Sequence, residues 1–203
     1  MERKNNYQIQ MEQAKRRFLR YDGNALAEKF GFDRDEDYLY PEFVSRTYRL
    51  SRKDGDLRYR EGDCWKDGNS FEEVMTLLDL LCDSREDRWV RGMWENMQTF
   101  GLQFHRNLLE ESRDLLAERI DRDPQWFCRA CEALGAEKIK GGDYGYALAL
   151  FDGLKVGVLF WHGDEEFAPR IRWLWDANAK MYLRYETMHY AVGLLKRRLA
   201  EQK

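Results

Sequence analysis

Tyr144-Gly-Tyr-Ala-Leu-Ala-Leu-Phe151, Lys155-Val-Gly-Val-Leu-Phe-Trp161 and Arg170-Ile-Arg-Trp-Leu-Trp-Asp176 are three short runs rich in aromatic and aliphatic residues. Asp152-Gly153 separates the first two, and the turn Gly163–Pro169 separates the last two. Runs of this length bounded by turn residues read as strands, and short connections make them antiparallel neighbours. They predict a C-terminal meander. The glycines at 141 and 142 precede a strand rather than a helix, so they lack the helix dipole that would hold a phosphate and read as a turn.

Downstream, residues 184–202 return to helical spacing through Tyr185, Met188, Val192, Leu195 and Leu199, with Lys196, Arg197 and Arg198 where cations suit a helix C-terminus. Upstream, Asp123-Pro124 starts a helix that Gly135 closes. The stretch from Asp87 to about Ile120, with Trp89, Met93, Trp94, Met97, Phe100, Phe104, Leu108, Leu115 and Leu116, also reads as helical, with a break near Gly101. Ser70 and Glu73 form a capping box before the apolar face Phe71, Val74, Leu77, Leu78 and Leu81.

Nearer the N-terminus, Phe43–Ser51 and Asp56–Arg60 alternate as a hairpin joined by Lys53-Asp54-Gly55, and residues 33–37 read as an irregular acidic stretch. Residues 8–30 read as helix broken at Asp22-Gly23, restarting from Asn24 as cap and ending at Gly31. The order is helices, hairpin, helices, meander, helix. That order is α+β, because no strand–helix–strand alternation calls for a parallel sheet. A chain of 203 residues with 43% apolar and 14% aromatic content fits one domain, with residues 1–60 as a candidate separate lobe.

The formal net charge is −3, with both signs interleaved, which argues against nucleic acid as a partner. No apolar stretch approaches the roughly 18 residues of a spanning helix, and no signal core follows Met1. The expectation is a cytoplasmic protein whose cysteines (Cys64, Cys82, Cys128 and Cys131) stay reduced.

Phe160-Trp-His-Gly-Asp-Glu-Glu-Phe-Ala-Pro169 is the densest cluster of polar chemistry. Asp164, Glu165 and Glu166, with His162 beside them and Asp176 on the returning strand, are candidate hard ligands for a divalent metal such as Mg²⁺ or Ca²⁺. Trp161 and Phe167 flank them as apolar contacts for a small ligand. An acidic turn is equally a solvated surface feature. Cys128-Arg-Ala-Cys131 has metal-site spacing, but no second ligand pair accompanies it and its helix position suits packing. His105 and His189, in aromatic and Met-rich settings, are weak candidates as axial ligands of haem or a corrinoid; a single backbone or carboxylate hydrogen bond is the plainer role for each. No phosphate loop, His-Glu-x-x-His or Gly-x-Ser-x-Gly motif is present.

Phe151-Asp-Gly-Leu-Lys-Val-Gly-Val-Leu-Phe-Trp-His-Gly-Asp-Glu-Glu-Phe-Ala-Pro169, then Leu174-Trp-Asp-Ala-Asn-Ala179, Tyr182-Leu183 and Glu186, resembles the C-terminal half of domain-of-unknown-function family 3786. The resemblance extends from about residue 10 onward and is specific over 156–186. It implies a domain found mainly in anaerobic bacteria and archaea, sometimes fused to an iron–sulfur cluster domain, with no established activity. Trp175 stands in place of the expected Phe, Asn178 in place of a small hydroxyl residue, and the cysteine-rich cluster segment is lacking. The functional expectation is a non-catalytic small-ligand-binding or accessory protein, its cleft lying between aromatic strands and helices with the acidic turn at the mouth. A metal-dependent enzyme using Asp164, Glu165, Glu166 and Asp176, and a protein-interaction module, are the alternatives.

Overall fold

The computed structural model describes residues 5–101 and 114–202. Among these described residues the elements are six α-helices and eleven strands, with two short 3-10 turns. The chain divides into two compact units, Met1–Trp89 with Met181–Leu194, and Val90–Lys180 with Leu195–Lys203.

The first unit begins with helix α1 (Asn6–Phe18), capped by Asn5 and Gln8, which bond each other's backbone N–H reciprocally. Helix α2 (Gly23–Phe30) is capped by Asp22, not Asn24: the Asp22 carboxylate accepts the Asn24 N–H at 2.8 Å. The cap is the last extended residue before the helix, and its anion also meets the positive end of the helix dipole. Gly31, at φ 69°, ends α2 as expected.

A sheet of antiparallel strands follows: β1 (Asp33–Arg34), β2 (Tyr38–Tyr40), β3 (Glu42–Phe43), β4 (Arg46–Ser51), β5 (Leu57–Glu61) and β6 (Cys64–Asp67). The order is β1-β2-β4-β5-β6, with β3 also on β4. The expected hairpin is β4–β5, but the run beginning at Phe43 is two strands. Val44 and Ser45 turn between them at φ 49° and 55°, so Phe43 pairs with Arg46. Two consecutive left-handed residues make the tight turn that suits strand twist, although valine rarely occupies that region. The acidic stretch 33–37 is likewise not wholly irregular, since β1 lies in it.

Helix α3 (Phe71–Asp83) starts at Ser70, whose Oγ accepts the Glu73 N–H at 3.3 Å. The Glu73 carboxylate in turn accepts the Ser70 hydroxyl and the Tyr48 hydroxyl, which ties the cap to β4. Helix α6 (Tyr185–Ala200) contributes its residues up to Leu194 to this unit. Tyr48, Leu50, Leu57, Leu77, Leu80 and Met188 are fully buried.

The expected helix from Asp87 to Ile120, all but its first three residues in the second unit, is absent over its described N-terminal part. Strand β7 (Trp94–Asn96) and a 3-10 turn (Met97–Thr99) occupy it, and helix α4 (Leu115–Arg122) takes up the chain again. Phe104, His105 and Leu108 lie outside the described residues. Two features override the helical spacing. Gly92 sits at φ 75°, and the Asp176 carboxylate accepts the N–H groups of Arg91 and Gly92 at 3.0 and 2.7 Å, holding the chain beside the sheet. Trp89, at 55% exposure, and Met93 are surface residues rather than a buried helical face.

Helix α5 (Pro124–Ala133) is capped by Asp123, with proline in the first turn as expected. The meander is β8 (Glu137–Lys138), β9 (Tyr144–Phe151), β10 (Leu154–Trp161) and β11 (Arg170–Asp176), in the order β7-β11-β10-β9-β8. Asp152 and Gly153, at φ 48° and 77°, form the two-residue turn between β9 and β10. Gly142 is required by proximity: a Cβ there would lie 2.4 Å from the Phe160 carbonyl oxygen. The architecture is mixed α+β with two antiparallel sheets, as the sequence implies. No helix among the described residues is long and apolar enough to cross a membrane.

Candidate functional site

The turn Gly163–Pro169 lines an open depression of about 530 Å³ together with Asp121, a residue that sequence patterning did not single out. Asp164 shapes this turn: its Oδ1 accepts the N–H groups of Glu166 and Phe167 at 2.9 and 2.8 Å. Those two bonds hold its carboxyl below the ordinary range. Glu165 and Glu166 are exposed, and Phe167 is 68% exposed.

His162 pairs with Asp121, Nδ1 to Oδ1, at 2.8 Å, and Asp121 also accepts the Gly163 N–H at 3.2 Å. The His162 bond is the chief reason the Asp121 carboxyl is lowered. The guanidinium groups of Arg170 and Arg172 lie 4.7 and 5.3 Å from the Trp161 ring centroid, cations stacked on tryptophan.

Asp176 is not part of this cluster. The turn joins β10 to the start of β11, and Asp176 ends β11, six residues beyond Arg170. At 3.3 Å per residue that separation is about 20 Å, the length of the sheet. In an antiparallel pair the end of the returning strand lies beside the beginning of the outgoing one, so the two acidic sites face opposite ends of the meander. At its own end Asp176 is 3% exposed and accepts three backbone N–H groups, from Arg91, Gly92 and Asn178.

Among the described residues no three His, Cys, Asp or Glu side chains are gathered to hold a metal ion. Cys131 is fully buried and its thiol is pushed upward by burial, while the Tyr146 hydroxyl bonds to Cys128. Burial of Cys131 suppresses the thiolate a metal site would need from it. His189 packs edge-on against Tyr185, with centroids 4.8 Å apart.

The first unit holds a different site. Helices α1, α3 and the first turns of α6 line a cleft of about 270 Å³ with Gln10, Gln13, Ala14, Arg17, Met75, Asp79, Arg184, Glu186, Thr187 and Tyr190. Asp79, on α3, is 6% exposed. Its Oδ1 accepts Arg17 Nη2 at 2.5 Å and its Oδ2 accepts the Thr187 hydroxyl at 2.6 Å, so one carboxylate bridges three helices. Arg17 Nη1 and Arg184 Nη2 both reach Asp83, at 3.2 and 3.1 Å.

The two partners in the Arg17–Asp79 pair are not equivalent. Burial raises the Asp79 carboxyl above its ordinary value despite Thr187 and Arg17, because it is the deeper group. Arg17 is cut off from water as well, but Asp79 and Asp83 together outweigh that and keep it charged. Its buried Nε has no acceptor.

Periodicity shows Asp79 and Thr187 only as polar residues on otherwise apolar helix faces. A polar residue at a buried phase of α3 and another on α6 was the available signal, and only the packing pairs them.

A two-unit α+β protein with an open acidic turn on one unit and a charged polar cleft in the other is the class these features define. The chain belongs to the DUF3786 family, a domain of unknown function, whose model matches residues 22–198. The match begins at the Asp22 cap of α2 and ends within the last turn of α6. No curated protein and no solved structure matches the chain.

Proposed function

We propose that the protein is a non-catalytic small-ligand-binding or accessory protein, and that its ligand enters the cleft of the first unit. The observation that carries this reading is Asp79, a carboxylate buried at a three-helix junction that also lines a cleft. A perturbed ionisable group in a cleft marks a functional site more often than one buried in a core. The volume, about 270 Å³, lies just under the range for drug-sized ligands, which suits a small metabolite and is too small for a tetrapyrrole. Binding rather than catalysis is favoured because the Thr187 hydroxyl, 1% exposed, is shielded, and the Asp79 oxygens are both occupied by Thr187 and Arg17.

Thermal shift against a panel of small polar metabolites tests the reading. Wild-type protein is expected to gain melting temperature with at least one compound, and Gln13→Trp, which fills the cleft from its exposed wall, is expected to abolish the gain. A gain that survives Gln13→Trp unchanged, or a wild-type protein unmoved by every compound, refutes it.

A further inference from the structure

Strand alternation gives the sheet of the first unit two unlike faces. Leu39, Tyr48, Leu50 and Leu57 fill the buried one. On the other face lie Tyr38 and Tyr40 of β2, Arg49 of β4, Arg58 and Arg60 of β5 and Trp65 of β6, because Arg49 pairs directly with Arg58, and Arg60 with Trp65. Arg49 is the centre: its guanidinium stands 4.6 Å from the Tyr38 ring centroid and 4.8 Å from that of Trp65. Tyr40 meets Trp65 in turn, with centroids 6.2 Å apart.

Aromatic rings hold this half-buried cation, yet no acceptor answers it. Among the described residues Arg49 makes no hydrogen bond and no ion pair, and its Nε is buried without a partner. The acids of the region are committed to other groups. Glu42 accepts the Thr47 hydroxyl and Asp35 the Tyr40 hydroxyl, while Asp56 binds Arg58 and Asp67 the Asn69 amide. Arg58, directly across from Arg49, adds a like charge, and like charges so placed repel. Nη1 and Nη2 of Arg49 are not enclosed as Nε is, and such an end-on pair of donors fits the two oxygens of a carboxylate.

We propose that this sheet face docks a protein segment that sets a glutamate or aspartate carboxylate on Arg49. Charge complementarity selects an acidic partner, since the one cation left without an acceptor sits beside a second arginine. Tyrosine, tryptophan and arginine gathered at the centre of a patch are the residue types that dominate protein–protein contacts. Small molecules take concave sites instead, and a sheet face is open. The rings of Tyr38 and Trp65 keep water from the flanks of the guanidinium, which strengthens an ion pair made at its free end.

The test is a titration of the full chain with a capped Ala-Leu-Glu-Leu-Ala peptide and its glutamine and lysine counterparts, followed at the Arg49 Nε–H and Trp65 Nε1–H resonances. The glutamate peptide is expected to move both resonances to saturation. The other two are expected to bind weaker by roughly tenfold or more, as for loss of a charged hydrogen-bonding partner. Arg49→Gln is expected to level the glutamate and glutamine peptides at the Trp65 resonance, and Arg49→Lys, which keeps the charge without the fork, to restore part of the difference. Retained melting temperature checks that the variants fold; if Arg49→Gln does not, Arg49→Lys carries the test by a smaller but measurable loss. No movement with the glutamate peptide, equal binding of the glutamate and glutamine peptides, or a preference that survives Arg49→Gln overturns the proposal. Acetate moving both resonances at the same concentrations overturns it in favour of a free-anion site, and oligothymidylate binding where the peptide does not overturns it in favour of a nucleic-acid surface.

Discussion

Asp176→Ala is the most exacting test of the second unit. The carboxylate is nearly inaccessible and accepts N–H groups from Arg91 at 3.0 Å, Gly92 at 2.7 Å and Asn178 at 2.9 Å. Losing an acceptor for a buried donor costs about 1–3 kcal/mol. Arg91 and Gly92 are exposed residues whose amides can recruit water once the carboxylate is gone, so the low end applies, about 1 kcal/mol for each of three bonds. The expected destabilisation is therefore about 3 kcal/mol, measured by urea unfolding with an unchanged m-value. Asp176→Asn keeps one oxygen, enough for Arg91 and Asn178, but turns an amide donor toward the Gly92 N–H; about 1–2 kcal/mol is expected. Because these bonds hold the segment before β7 against β11, amide exchange at Arg91 and Gly92 should accelerate in both variants. A change below about 1 kcal/mol for Asp176→Ala, with unaltered exchange at those amides, refutes the anchoring role.

Two further outcomes follow from the titrating groups. Burial raises the Asp79 carboxyl above its ordinary 3.8, so the folded state holds that proton more tightly than the unfolded chain. Its contribution to stability is then fullest below 3.8 and declines as pH rises through the folded value. The stability difference between wild type and Asp79→Asn should fall with pH across that window, and a rising difference contradicts the assignment. At the acidic turn, His162→Gln should let the Asp121 carboxyl climb back toward 3.8, read by a carbon-detected pH titration. Wild type, with the lowered carboxyl, holds that contribution above 3.8 and loses it as pH falls through the folded value; an Asp121 titration indifferent to the substitution removes the His162 bond as the cause.

The meander, α3, α5 and α6 were legible because their signals are local. Ser70 and Pro124 announce helix starts, Asp152-Gly153 marks the hairpin, and aromatic runs of strand length lie between turn residues. The segment from Asp87 was misread for the complementary reason. Trp89, Met93, Trp94 and Met97 recur at helical spacing, yet an apolar period states that residues share a phase without stating that the phase is buried. Trp89 and Met93 face solvent, and β7 exists because β11 offers an edge to pair with. The early sheet was underread similarly, since strands as short as β1 and β3 carry too few residues for a period.

The candidate sites divide along the same line. The acidic turn was visible as a contiguous segment, and the family resemblance it carries is confirmed over residues 22–198. What contiguity concealed was direction: Asp176 closes the same strand pair but lies a strand's length away. The cleft draws Arg17, Asp79 and Thr187 from helices separated by 62 and 108 residues, and no local pattern encodes that meeting. By itself the sequence determined the class of fold, the Ser70 cap, the Asp123-Pro124 helix start, the Asp152-Gly153 turn and the family, because backbone sterics and hydrogen bonding within a few residues decide them. Tertiary structure alone decided which polar groups are buried together, because desolvation and ion pairing depend on neighbours that only packing supplies.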